Sequence, residues 1–154
     1  MSVPRQFRLE RVLRLREQRE KDLQGQLAIV HRKELEQQTL LGRMHDNRAT
    51  QLEMITANLT SERVETTYIQ FGYAYLDRLQ SLIDRQSNVV KQATKATNLK
   101  RTEVQQAMQA RKAIEKLRDR WQGELFEDDR QRDIKTIDEI STVQFNLRRM
   151  EAHV

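Results

Sequence analysis

Asn58-Leu59-Thr60-Ser61-Glu62-Arg63-Val64-Glu65-Thr66-Thr67 is the one place where this sequence stops reading as helix. Before it, Leu52, Ile55 and Leu59 keep helical spacing, and after it Tyr68 opens a new apolar pattern. The residues between are mostly β-branched, hydroxyl-bearing or charged, and the first two kinds are weak helix formers. Asn58 suits a helix C-terminus, because asparagine tolerates a left-handed backbone. Thr67 with Gln70 three residues on fits a capping box, which satisfies the free amides of a starting helix. The spacing predicts a chain that folds back here, with two helical arms on either side.

Composition supports that reading. The 154 residues suit one domain, 1–154, and contain only one proline and four glycines, too few for a turn-rich sheet fold. Charged residues are 33% and aromatics 5%, which gives a thin apolar seam and no thick core. Apolar residues at 37% are nevertheless periodic, unlike those of a disordered chain. There is no cysteine, so disulfides and thiolate metal sites are excluded. No apolar run approaches the roughly 20 residues of a membrane span. The first nine residues lack the apolar centre of a secretory signal. A soluble cytoplasmic protein is expected.

The first arm is expected from about residue 5 to 57, with Pro4 in its first turn, where a missing N–H costs nothing. Its seam follows alternating steps of three and four through Leu9, Leu13, Arg16, Glu20, Leu23, Leu27, Val30, Glu34, Gln37, Leu41, Met44, Arg48, Gln51 and Ile55. The polar members have long stems that can lie along a partner helix. Gly25, Gly42 and the polar run 42–48 weaken this arm. The second arm is expected over about 67–150. Its seam runs through Leu76, Leu79, Ile83, Val90, Ala93, Thr97, Lys100, Val104, Ala107, Arg111, Ile114, Arg118, Trp121 and Leu125. A surplus of apolar residues, with Tyr68, Phe71, Tyr73, Tyr75 and Leu82 among them, gathers near the turn. These either cover the hairpin's tip or offer a binding surface. Past Leu125 a separate stripe appears at Ile134, Ile137, Ile140 and Leu147. The second arm exceeds the first by some thirty residues, roughly 45 Å of helix, which either folds back near Gly123 or continues unpaired.

No chemistry of catalysis is written in the chain. It lacks GxxxxGK[ST], GxGxxG and GxSxG. His31, His45 and His153 are widely separated and expected to be solvated. Glu127, Asp128 and Asp129 are adjacent helical residues that point in different directions, so one cation cannot collect them. No cofactor, metal or small-molecule substrate is expected. The net charge of +5 comes from 28 basic and 23 acidic residues with the signs mixed, a pattern expected of a solvated helical surface. Lys100, Arg101, Arg111, Lys112, Lys116, Arg118 and Arg120 form no contiguous basic region, which argues against nucleic acid as partner. The sign does vary: residues 1–24 hold seven basic against four acidic, and residues 124–139 hold seven acidic against three basic.

The stretch Phe7-Arg8-Leu9-Glu10-Arg11-Val12-Leu13-Arg14-Leu15-Arg16 resembles the F-x-L-x-x-V-L-x-x-R opening of the FliJ family of flagellar export proteins, which shares its architecture with the injectisome stalk proteins, YscO. Leu27-Ala28, Tyr75 to Gln86, Arg111 to Leu117 and Asp138-Glu139-Ile140 follow the family in order and spacing, and the tail after Ile140 follows it least. The resemblance implies an all-α, antiparallel two-helix coiled coil with its turn near 58–67. It implies a non-enzymatic stalk and chaperone that sits in the central hole of a hexameric export ATPase and promotes its assembly and activity. It further implies contact with the cytoplasmic domain of the membrane export gate and with export chaperones, in the cytoplasm at the inner membrane export apparatus. Carried over, the ATPase would meet Phe7, Leu9, Arg11, Val12 and Arg16 on one strand and Asp138, Glu139, Gln144 and Arg148 on the strand facing it. The export gate would meet Tyr75, Leu79 and Leu82. A generic coiled-coil dimeriser that self-associates through its imperfect seam is the alternative.

Overall fold

A computed structural model describes residues 6–151, the side chains of Met150 and Glu151 excepted; Pro4 and His153, named above, lie outside the described residues. Two helices account for nearly all of it: α1, Glu10–Leu59, and α2, Thr66–Glu151. They pack against each other antiparallel, and α2, with 86 residues against 50, is the longer. Among the described residues there is no strand. By contacts between Cα atoms the chain divides into two compact units, Met1–Arg19 with Ala107–Val154, and Glu20–Gln106.

Neither helix contains a proline, and close charge pairs support both. Glu10–Arg14 (3.5 Å) opens α1, while Arg111–Glu115 and Asp128–Arg132 (2.7 Å) recur at the same four-residue spacing along α2. Gly25 and Gly42 do not interrupt α1, nor Gly123 α2, and the polar run 42–48 is helical throughout. Of the two alternatives for the end of the second arm, fold-back near Gly123 or unpaired continuation, the continuous helix is the second.

In the unit Glu20–Gln106 the pairing is fixed by polar contacts across the seam. Gln86 donates to the Gln37 side-chain oxygen at 2.8 Å. Thr94 donates to Glu34 at 2.7 Å, and the Lys100 ammonium reaches Gln26 at 3.1 Å. Toward the loop, Asn47 donates to the Tyr75 hydroxyl at 3.0 Å. As one partner's number falls the other's rises, which is the signature of antiparallel register. Leu23, Ile55, Leu76, Leu79 and Ile83 are its buried apolar members. Glu20, Glu34 and Thr97 are buried too, so the seam is mixed, as its sequence implied. Polar residues in such positions give up stability and fix which residues face each other.

The loop is closed by Asn58. No described residue other than glycine has a positive φ, so Asn58 does not take the left-handed conformation expected of it. It stays in α1, and its side-chain oxygen accepts the Glu65 N–H at 3.2 Å. The N-cap of α2 lies two residues earlier than the Thr67–Gln70 pattern suggests. The Ile69 N–H bonds the Glu65 carbonyl at 3.2 Å, which makes Glu65 the N-cap and places Thr67 inside the first turn. One amide side chain thus ties the last turn of α1 to the cap of α2. The Ser61 hydroxyl, 2.7 Å from the Asn58 carbonyl and 2.9 Å from that of Arg63, braces the bend between them.

In the unit built from the two ends of the chain, α1 begins at Glu10 and not near residue 5. The Glu10 N–H bonds the Phe7 carbonyl at 3.2 Å, and this turn folds the Phe7 ring back onto Trp121, 5.7 Å between centroids. Offset or tilted ring pairs at that separation are favourable. Leu13, in the same unit, is 1% exposed.

Candidate functional site

Seam residues are committed to the hairpin, so any surface for a partner must lie off the seam or beyond its end. The seam of α2 is where the spacing put it. Every one of its positions from Leu76 to Leu125 is buried or half-buried. On α1 every position from Leu9 to Ile55 follows suit except Arg16, which is exposed while Glu17 turns partly inward.

The first candidate surface is the start of α1. Phe7, Leu9 and Val12 are half-buried, and Arg11 and Arg16 are exposed. Apolar residues there are partly spent on packing, and the free chemistry is cationic. The strand expected to face them does not. Phe7 lies against Trp121, and Asp138 is seventeen residues further along α2, about 25 Å at 1.5 Å per residue. Asp138, Glu139, Gln144 and Arg148 are all exposed on the length of α2 beyond Trp121. The expected site is therefore two surfaces, one at the start of α1 and one on the end of α2. The position of the loop decides this, because residues so far past it have no counterpart in α1.

The second candidate surface lies near the loop. Tyr75 and Leu82 are 43% and 41% exposed, but Leu79 is only 5% exposed. Leu79 is a seam residue facing α1 and cannot also meet a partner. The surface that remains is Tyr75 and Leu82 with Phe71, 73% exposed, and Tyr68. Phe71, Tyr75 and Leu82 are spaced by four and seven, which lines them along one face of α2. The sequence places Phe71 in an aromatic cluster, and its four-residue spacing to Tyr75 is the signal that the two share a face.

The electrostatics centre on Glu34. Its carboxylate accepts from Thr94 at 2.7 Å and Gln38 at 3.3 Å, with His31 Nδ1 3.4 Å away. The Thr94 hydrogen bond does most to hold the carboxyl below its ordinary range, Thr97 and His31 add to it, and burial opposes them. His31 is thus half-buried against a carboxylate and not fully solvated as expected, while His45 is exposed. The acidic run is divided among neighbours. Glu127 accepts from Arg130 (3.1 Å) and Gln131, and these contacts lower its carboxyl in that order. Asp128 accepts from Arg132. Among the described residues no cluster of three His, Cys, Asp or Glu side chains could hold a metal ion, and no helix is long and apolar enough to cross a membrane.

The family model described as "Flagellar FliJ protein" matches residues 5–150, nearly the whole chain. Neither the curated proteins nor the solved structures include a match.

Proposed function

This chain belongs to the FliJ family, a non-catalytic component of flagellar protein export, and from that premise we propose that it acts as the stalk of the export ATPase. In this reading it occupies the central hole of the hexameric ATPase, promotes ring assembly and ATP hydrolysis, links the ring to the export gate, and handles export chaperones at the inner membrane. The observation that carries it is the combination of a family match over residues 5–150 with exposed, mostly polar chemistry at both ends of the helical pair. Arg11 and Arg16 on α1, and Asp138, Glu139, Gln144 and Arg148 on α2, are all free to meet ring loops. Phe7, Leu9 and Val12 support the first surface from below. Polar contacts of this kind are individually weak and exchangeable, which suits a shaft inside a working ring better than tight apolar docking. The gate is assigned to Tyr75 and Leu82, with Phe71 beside them; Leu79 acts by holding that turn of α2 against α1.

The test is ATP hydrolysis by the export ATPase of the same organism with this chain added. Arg11→Glu combined with Arg16→Glu should cut stimulation roughly two- to tenfold, the effect of two surface charge contacts, with helicity unchanged. Tyr75→Ala with Leu82→Ala should leave stimulation intact and weaken pull-down of the gate's cytoplasmic domain. Stimulation that is indifferent to the arginine reversals would remove the start of α1 from the interface.

A further inference from the structure

Beyond Trp121, α2 stays helical to Glu151, and every described side chain from Asp129 to Arg149 is exposed. Alternating steps of three and four on this stretch pass through Phe126, Arg130, Asp133, Ile137, Ile140, Gln144, Leu147 and Glu151. Ile134 and Val143 lie on the stripe's two flanks. The four apolar members of the stripe and these two flanking residues are 46–72% exposed. So long an apolar stripe on a surface helix marks an interface.

The stripe is complementary to itself. In an antiparallel pair of these stretches, Ile137 of one copy meets Ile140 of the other. The same register sets Asp133 against Gln144 of the second copy and lays the stem of Arg130 along Leu147 of the second copy. On the flank, Glu127 falls opposite Arg148 of the second copy. Two-fold symmetry makes each of these contacts twice. A parallel pair in register would instead stack Asp133 on Asp133 and Arg130 on Arg130 at the seam, leaving like charges facing each other without compensation. The pairing spans about 26 residues, roughly 39 Å of helix.

We propose that the exposed end of α2 is a homodimer interface, in which the stripe through Ile137, Ile140 and Leu147 pairs antiparallel with the same stripe of a second copy. This goes beyond the stalk reading: Gln144 and Arg148 serve either this pairing or the ring, so the dimer is the state of the chain outside the ring, and the chain alone is tested.

The experiment is the mass of the full chain in solution, by sedimentation or light scattering, across a range of concentrations. Two chains per particle are expected, falling to one for Ile137→Asp with Ile140→Asp, whose association should weaken at least about a hundredfold with helicity kept. Arg148→Glu should weaken association, and Glu127→Arg added to it should restore it. The chain has no cysteine, so orientation can be read directly. Asp133→Cys and Gln144→Cys proteins should form a disulfide when mixed and not when oxidised separately. A single chain at every concentration, a dimer indifferent to the isoleucine changes, or crosslinking of each cysteine variant with itself would each overturn the proposal; the first would leave the stripe to a different protein.

Discussion

Thr97 and Ile137 sit on the same helix, and hydrophobicity alone would assign their environments the other way round. Thr97 is completely buried, its hydroxyl donating to the Ala93 carbonyl at 3.1 Å; Ile137 is 61% exposed. Only position relative to the loop separates the two. Thr97 lies where α2 passes α1, and Ile137 lies where α1 has ended. In a two-helix hairpin, burial is granted by register. An apolar side chain on the wrong side of the register goes bare, and a polar one on the right side must find its hydrogen bonds at home.

The contrast can be broken most forcefully with a charge. Ile55→Asp places a carboxylate at a site 1% exposed and should cost about 3–5 kcal/mol. The same change at Ile137 should move the stability of the hairpin by no more than about 0.5 kcal/mol. Urea unfolding followed by circular dichroism distinguishes them, at a protein concentration low enough to exclude self-association. Equal losses would mean that the end of α2 is structurally spent after all.

Glycine sharpens the comparison within the hairpin. A Cβ at Gly72 would lie 2.8 Å from the Ile55 side chain, whereas one at Gly25 meets nothing within 4 Å. Gly25→Ala should gain up to about 1 kcal/mol of helix propensity. Gly72→Ala receives the same gain but displaces a buried isoleucine at a cost of about 1–3 kcal/mol, so its net effect is a loss of about 1 kcal/mol. Thermal unfolding of the two single variants gives opposite signs if α2 approaches α1 this closely at Gly72.

The smallest effect is the subtlest. Glu34 has a carboxyl held below its ordinary value near 4.5 by Thr94 first and by Thr97 and His31 after it. A depressed folded-state value means that the group stabilises the fold above the unfolded value, and that this contribution is lost as pH falls through the folded one. Stability of the chain should therefore drop on acidification below about pH 4.5, and Glu34→Gln should flatten that part of the curve. A drop of the same size in the variant would transfer the effect to other carboxylates.

Much of this was legible in residue spacing. Steps of three and four gave the α2 seam from Leu76 to Leu125 and nearly all of the α1 seam, since helical geometry dictates which residues share a face. Arg16 escaped because its neighbour Glu17 turns inward near the helix start, a choice that spacing does not make. Asn58 stands near the end of α1 as its residue type predicts, but by other means: its side chain is the acceptor for the Glu65 N–H seven residues on. The expected pairing of the two chain ends failed on simple geometry. A loop at Thr60–Glu65 brings Phe7 to Trp121, so Asp138 and Arg148 have no α1 residue to face. Leu79 is on the seam as well, 5% exposed, where α1 covers it.

The Asn58–Glu65 clasp has a consequence for the order in which the chain assembles. Its partners are seven residues apart, while Phe7 and Trp121 stand more than a hundred apart. Bringing the distant pair together unaided would close a very long loop, at an entropic expense that rises with the logarithm of its length. Once the clasp has formed, each further turn of pairing closes only a few residues more. The favoured order of assembly is then a zipper from the bend outward, and a half-buried amide in the last turn of α1 bears on how quickly the far end closes, although it touches nothing there.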